Sequence, residues 1–249
     1  MNKLINASEL NIASVQMVST PNLQENLETA ARLVKAAAGS GSQLVVLPEY
    51  FCLMGLKDTD KVQAREPAGT GPIQNRLAQI TKENNIYLVA GTIPLEATES
   101  NKVLNTSLVF NPEGAQIARY DKIHLFGFQT SKERYEESDT IAAGNQPGKF
   151  TITVNAVDWD FGLTICYDLR FPELYRARAI ENQCYLLSSE QGGVHVNQRR
   201  TWGNSMLIDP WGEILAKLPE GEGFITGILS KDKLKEVRSK LPALQHRKL

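Results

Sequence analysis

The 249-residue sequence predicts an α/β fold in which two similar halves stack as a four-layer α-β-β-α sandwich with the helices outside. Two observations lead to this prediction. Apolar, strand-like segments alternate with amphipathic helical segments in the first half, which is typical of a mostly parallel sheet. A predicted β-hairpin at residues 105–120 then has a close copy at residues 203–218, which indicates an internal two-fold repeat.

The first half is predicted to contain three strands and two helices before its hairpin. Asn22 is expected to cap the first helix, which stops at Gly39 and Gly41, and Pro72 is expected to start the second. The strands are predicted at residues 11–18, 43–50 and 86–93.

The second half is one helix–strand unit shorter than the first. Before its hairpin it offers a strand at 164–168, one helix from Pro172 to about Asn182, and one strand at 184–191. The predicted helix therefore runs directly from the turn after Cys166 into the next strand.

Composition indicates a cytoplasmic protein without nucleic-acid or membrane partners. The formal net charge is −1, and no basic patch dominates. No apolar run reaches the length of a membrane span, and the first ten residues show no signal-peptide pattern. The three cysteines suit a reducing compartment, and no Cys/His cluster has zinc spacing, so we expect no metal site.

Three reactive side chains lie at or near predicted strand ends, where α/β proteins build their sites. Glu49 closes the strand segment VVLPE, Cys166 closes the segment LTIC, and Lys122 comes just after the first hairpin. Each alone has a plain structural explanation, because a single cysteine usually packs as a small apolar residue and a single Glu or Lys is usually solvated. Their combination favours chemistry.

The segments LPEY, YDKIHLF and CYDLRFPE, in this order, resemble the nitrilase (carbon–nitrogen hydrolase) superfamily, and CYDLRFPE resembles its Nit branch. The likeness extends over nearly the whole chain, through LVVLPE, the paired hairpins, ARAIENQCY and LPALQHR. It implies one domain over residues 1–249 with a Glu-Lys-Cys triad at Glu49, Lys122 and Cys166. It also implies amidase activity on small ω-amides or deaminated glutathione.

The chemistry of these residues agrees with that resemblance. A nearby cation such as Lys122, or a helix N-terminus, stabilises a thiolate. Glu49 is the expected general base, and the acyl group is held as a thioester on Cys166. Lys122 and the backbone N–H of Tyr167 are expected to hold the oxyanion, and no cofactor is needed.

Other residues receive lesser roles. The Nit pattern places Glu137 in the site, where it would orient Lys122, although a solvated acidic loop is the alternative. Arg170 and Tyr50 are candidate substrate-binding residues, with bracing of the turn and core packing as their respective alternatives. The residue His124 is expected to be a hydrogen-bonded neighbour of the site, neither acid nor base.

The chain departs from the Nit pattern where Arg176 joins Ala177, because part of one helix is fused there to part of another and the strand between them is lost. The sheet must then close or leave backbone unpaired, and the pocket wall opposite Cys166 can open to water. The helices around this junction form the dimer interface of relatives, so a homodimer is expected only if that interface survives.

Two other functions stay open at this point. The chain could act on N-carbamoyl amides, in which case it would release carbon dioxide. It could also be a catalytically impaired remnant that keeps the scaffold without the activity. A redox-active thiol is a weaker hypothesis, because no second cysteine lies near Cys166 in the sequence.

Overall fold

The computed structural model describes residues 7–129, 134–169 and 172–246. In these ranges the α-helices are α1 (Leu23–Gly39), α2 (Asp60–Gln63), α3 (Pro72–Asn84), α4 (Pro172–Asn182) and α5 (Lys231–Lys240). The strands are β1 (Glu9–Gln16), β2 (Leu44–Val46), β3 (Tyr87–Val89), β4 (Ile93–Glu96), β5 (Val103–Phe110), β6 (Gln116–Asp121), β7 (Gly127–Gln129), β8 (Arg134–Glu136), β9 (Ile141–Ala142), β10 (Gly148–Val154), β11 (Val157–Leu163), β12 (Leu186–Ser188), β13 (Ser205–Ile208), β14 (Ile214–Leu218) and β15 (Gly223–Ser230).

The first half forms one continuous sheet with the order β15-β1-β2-β3-β5-β4, and β6 and β9 pair with β5. Strands β1, β2 and β3 are parallel, as the alternation of strands and helices predicts. Helices α1 and α3 pack their apolar stripes on one face of this sheet. Asn22 caps α1 by accepting a hydrogen bond from the Glu25 backbone N–H at 3.2 Å, and α3 begins at Pro72.

The second half covers the other face of that sheet and completes the predicted sandwich. Side chains of β10, β11 and β13 share a buried apolar cluster with β1, β2 and β3. Outside them, α4 packs Ala179 against Met206 and Ile208 of β13. The four-layer α-β-β-α architecture is therefore confirmed. No helix in the described residues is both long enough and apolar enough to cross a membrane.

The missing unit is visible as a break in the second sheet. In the first half, β3 pairs antiparallel with the hairpin strand β5, and β2 joins β3 to β1. In the second half, β12 pairs antiparallel with the hairpin strand β13, but among the described residues no strand joins β12 to β11. The strands form two separate sheets, β10-β11 and β12-β13-β14, while α4 runs unbroken across Arg176 and Ala177.

Several predicted strand ends are wrong. The strand predicted at 164–168 is absent, since β11 ends at Leu163 and a 3₁₀ turn spans Cys166–Leu169. Three more strands are shorter than predicted, because the chain turns out of strand pairing where it reaches the site. Their predicted ranges are 43–50, 86–93 and 184–191. At Gly91, with φ of +40°, a Cβ atom would lie 1.9 Å from the Pro48 carbonyl oxygen, so only glycine permits this approach.

Candidate active site

The ammonium of Lys122 is the buried centre of the candidate site. Lys122 lies one residue beyond β6, and its side chain is 0% exposed. Its Nζ is 2.9 Å from Glu49 Oε1 and 2.9 Å from Glu137 Oε2. A buried charge is tolerated only when it is paired, and two carboxylates pair this one. The structure thus brings together the Glu and Lys that the sequence predicts, and Glu137 with them.

Glu137 is held in place by main-chain and side-chain contacts, so it is not part of a solvated acidic loop. It opens a short 3₁₀ turn after β8, and its side chain is 3% exposed. The Phe126 backbone N–H donates to Glu137 Oε2 at 2.7 Å, and the Tyr50 hydroxyl donates to Oε1 at 3.3 Å.

Glu49 receives a second hydrogen bond that sequence reasoning missed. Asn105 Nδ2, on β5, donates to Glu49 Oε1 at 2.8 Å, the same oxygen that Lys122 contacts. Both hydrogen bonds therefore converge on one of the two carboxylate oxygens of Glu49. Tyr50, the next residue, has φ of +56°, a left-handed conformation that is uncommon for a tyrosine and turns the chain sharply after Glu49.

Cys166 lies at a strained elbow that Asp168 braces. Its φ is +46°, and its side chain is exposed within the cleft rather than packed. Asp168 accepts hydrogen bonds from the Tyr120 hydroxyl at 2.6 Å, from the Ile165 backbone N–H at 2.9 Å and from His124. His124 is therefore a hydrogen-bonded neighbour, as the sequence predicts.

The electrostatics of the cluster keep the thiol protonated at rest. The Glu49 carboxylate, followed by removal from water, raises the pKa of the Cys166 thiol well above its ordinary value. Lys122 opposes this, as the sequence suggests, but the two carboxylates outweigh it. Burial alone would lower the pKa of Lys122, yet Glu49 and Glu137 raise it, so Lys122 stays charged.

A polar cavity of about 550 Å³ adjoins this cluster through Tyr50. Its cationic lining includes Lys61 and Arg199, and the Arg199 guanidinium lies 5.5 Å from the Tyr135 ring centroid. The Lys61 ammonium lies 5.7 Å from the centroid of the Tyr50 ring, whose hydroxyl donates to Glu137. Sequence reasoning missed Lys61 and Arg199, because nothing in their local motifs distinguishes them from surface residues.

The catalytic and binding roles of all the predicted site residues stay predictions, and for two of these residues the structure adds little. Arg170 lies outside the described residues. Tyr167 follows Cys166 in the 3₁₀ turn, and its ring packs against Phe126 at a centroid distance of 5.2 Å, but its backbone N–H as an oxyanion donor is untested. In the described ranges, no group of three or more His, Cys, Asp or Glu side chains is placed to hold a metal ion.

Comparison with known proteins agrees with this fold. The carbon-nitrogen hydrolase family model matches residues 11–177 and 174–239. The chain belongs to this family, and it is a hydrolase that acts on carbon–nitrogen bonds.

Its similarities point to the Nit branch. It is 36% identical over 268 residues to a deaminated glutathione amidase of Synechocystis sp. (strain PCC 6803 / GT-S), covering 94% of this chain and 97% of that protein. It is 32% identical to the omega-amidase NIT2 of Xenopus tropicalis, covering 97% and 96%. The crystal structure of Saccharomyces cerevisiae Nit3, a member of branch 10 of the nitrilase superfamily, matches with a TM-score of 0.82 at 27% identity, covering 97% of each chain.

The same comparisons locate the missing unit. The alignment to the Synechocystis amidase spans 268 positions, which is more than the 249 residues of this chain, so the relative has residues without a counterpart here. The two family matches meet at residues 174–177, which contain the Arg176–Ala177 junction. The interruption therefore falls where the second sheet is broken.

Proposed function

We propose that this protein hydrolyses small linear ω-amides that carry a distal carboxylate, giving the acid and ammonia through a thioester on Cys166. One observation supports this most strongly: the Lys122 ammonium is buried between Glu49 and Glu137, and the charges of all three act on the Cys166 thiol. The names of the amidase relatives agree with this substrate class. We also propose that residues 1–249 act as one domain; the homodimer remains a prediction.

In the first half of the reaction, Glu49 Oε2 takes the thiol proton while the sulfur attacks the amide carbon. An ammonium has three N–H donors, and two of those on Lys122 are used by Glu49 and Glu137. The third is available for the oxyanion, with the Tyr167 N–H as its proposed partner. Collapse of the tetrahedral intermediate breaks the carbon–nitrogen bond, and Glu49 returns the proton to the leaving ammonia.

In the second half, Glu49 removes a proton from water, which attacks the thioester carbonyl. The second tetrahedral intermediate uses the same oxyanion donors. Its collapse breaks the carbon–sulfur bond, and the proton on Glu49 returns to the departing thiolate. Glu137 takes no proton in this scheme. It keeps the Lys122 ammonium charged and directed at the reacting carbonyl.

The cations of the polar cavity are proposed to bind the distal carboxylate of a short substrate. Arg199 suits this role, since a guanidinium binds a carboxylate with two parallel hydrogen bonds. Arg199→Gln is expected to raise KM for succinamate about 10- to 100-fold with a smaller change in kcat. The neutral amide butyramide serves as the control, because it has no carboxylate for Arg199 to bind.

The central test is a panel of ω-amides with ammonia as the readout and intact-protein mass spectrometry to find the acyl adduct. We expect turnover and an adduct on Cys166, both absent in Cys166→Ala and both retained in Cys52→Ala, since the Cys52 thiol is buried whereas Cys166 is exposed. Carbon dioxide release from N-carbamoyl substrates alone would reassign the substrate class. No turnover and no adduct across the panel would contradict the proposal.

A further inference from the structure

A second cavity, of about 630 Å³, lies between the sheets where the second one is broken. We call it the inter-sheet cavity. Volumes of this size are typical of small-molecule sites. One wall comes from the first sheet and another from β11 and β12, and the apolar side chains among them include Ile12, Leu44, Val46, Val89, Trp159, Phe161, Leu163 and Leu187. The catalytic residues Glu49 and Cys166 also line it.

Residues of β11 line the inter-sheet cavity. Successive residues of a strand point to opposite faces, and Trp159, Phe161, Leu163 and Ile165 alternate with more exposed residues. This apolar row leads toward Cys166. Trp159 lies four residues before Leu163, the last residue of β11, which is about 13 Å at about 3.3 Å per residue of extended chain. The thiol and the Trp159 end are thus far apart along one apolar wall.

The Trp159 end carries a hydrogen-bond donor without an acceptor. Trp159 is only 3% exposed, and its indole Nε1–H has no hydrogen-bond partner. A buried donor left unpaired is costly, and native structures rarely leave one without a reason. The Lys231 ammonium also lines the cavity and lies 4.9 Å from the centroid of the Trp159 ring. An N–H donor beside a cation is the chemistry that binds a carboxylate.

We propose that the inter-sheet cavity binds long-chain ω-amido carboxylic acids. The amide reaches Cys166, the alkyl chain lies along the gap left by the missing strand, and the carboxylate binds Trp159 Nε1 and Lys231. Turnover of this class rests on the function proposed above, whereas binding does not. Short ω-amides would use Arg199 in the polar cavity, so the two substrate classes depend on different residues.

The kinetic test is a series of monoamides of α,ω-dicarboxylic acids, from succinamate to the monoamide of dodecanedioic acid. We expect kcat/KM to rise by up to about fourfold per added methylene in the longer members, since each buried methylene contributes about 0.8 kcal/mol. Trp159→Phe keeps the ring but removes the donor, and Lys231→Gln removes the charge. Each should lower kcat/KM for the dodecanedioic monoamide about tenfold and leave succinamate unchanged.

A second contact between a lysine and a tryptophan, elsewhere in the chain, supplies the control. Lys217 lies 5.5 Å from the centroid of the Trp202 ring, outside both cavities. Trp202→Phe and Lys217→Gln should therefore change neither substrate. Dodecanamide, which lacks the carboxylate, should be insensitive to Trp159→Phe; an equal loss with dodecanamide would mean a merely structural role and overturn the assignment of the carboxylate site.

Binding without turnover separates this inference from the proposed reaction. Calorimetry of the Cys166→Ala variant with the dodecanedioic monoamide should detect binding. Adding Trp159→Phe or Lys231→Gln to that variant should weaken the binding about tenfold. Binding of an extended apolar peptide, but not of this acid, would overturn the proposal. Rapid turnover of succinamate with no binding of the long monoamide would overturn it too, while leaving the proposed function intact.

Discussion

The two halves of the molecule contribute unequally to the candidate site. Glu49, Lys122 and Glu137 all come from the first half, where β2 lies between β1 and β3 in a continuous sheet. Cys166 comes from the second half, where no described strand joins β11 to β12. The two carboxylates and the ammonium are therefore supported by a complete sheet, while the Cys166 thiol rests on an interrupted one.

This difference shows what holds the thiol in place. With its neighbouring strand absent, the Cys166 elbow depends on the hydrogen bonds that Asp168 accepts from Tyr120 and Ile165. Tyr120 belongs to β6 of the first half, so the complete half also positions Cys166 of the incomplete one. The groups of the candidate site can thus stay together although the second sheet is split.

Removing the Lys122 charge is expected to have the largest effect on activity and stability, because Lys122 pairs with both carboxylates of the site. Lys122→Met leaves Glu49 and Glu137 buried together without a counter-charge. Breaking a buried ion pair in this way costs about 3–5 kcal/mol of unfolding free energy, and kcat/KM should fall at least about 1,000-fold. Urea unfolding and ammonia release measure the two effects. Unchanged stability would mean that the carboxylates do not depend on Lys122.

Restoring the missing helix–strand unit should make the second sheet as continuous as the first. Inserting the corresponding segment of the Synechocystis amidase between Arg176 and Ala177 is expected to raise the unfolding free energy by about 3 kcal/mol, since each newly buried Val or Leu contributes about 1.5–3 kcal/mol against the entropy of ordering. Hydrogen exchange of β11 and β12 should slow toward that of β1. A Gly/Ser-rich insert of equal length is the control and should produce neither change.

Loosening the elbow should reduce activity more than stability. Asp168→Asn removes the charged acceptor of the bonds that hold the Cys166 turn, and kcat is expected to fall about 10- to 100-fold. Asp158→Asn is the matched control, since Asp158 accepts a bond from Thr153 on the exposed side of β10 and β11. Equal losses in the two variants would contradict a bracing role for Asp168.

The rate at which Cys166 is alkylated reports how the charge of Glu49, in the first half, acts on the thiol in the second half. Because the pKa of Cys166 is raised above its ordinary 9.0, its alkylation by iodoacetamide should keep increasing as the pH rises past that value. Glu49→Gln removes the largest cause, so the pKa should fall and alkylation at pH 8 should increase about tenfold even as amidase activity is lost. Glu136→Gln, on a half-buried carboxylate next to Glu137 in the chain, should change neither; a slower reaction in Glu49→Gln would refute the assigned cause.

Local patterns were enough to predict much of the fold. The Asn22 cap, the start of α3 at Pro72, the paired hairpins and the fused helix α4 are all encoded in short segments, since capping, proline geometry and apolar spacing act over a few residues. Strand ends could not be predicted in this way. β11 stops at Leu163 because the chain must turn to present Cys166, and apolar content does not reveal a turn made for a site.

The sequence by itself predicted Glu49, Lys122 and Cys166 as the reactive groups and indicated that a helix–strand unit is missing at Arg176. Only the tertiary structure decided that Asn105 shares an oxygen of Glu49 with Lys122, that the pKa of the Cys166 thiol is raised, and that the absent strand leaves a cavity lined by Trp159. The reason is physical: motifs record residue types along the chain, whereas pKa values, shared hydrogen bonds and voids arise from distances between segments remote in sequence.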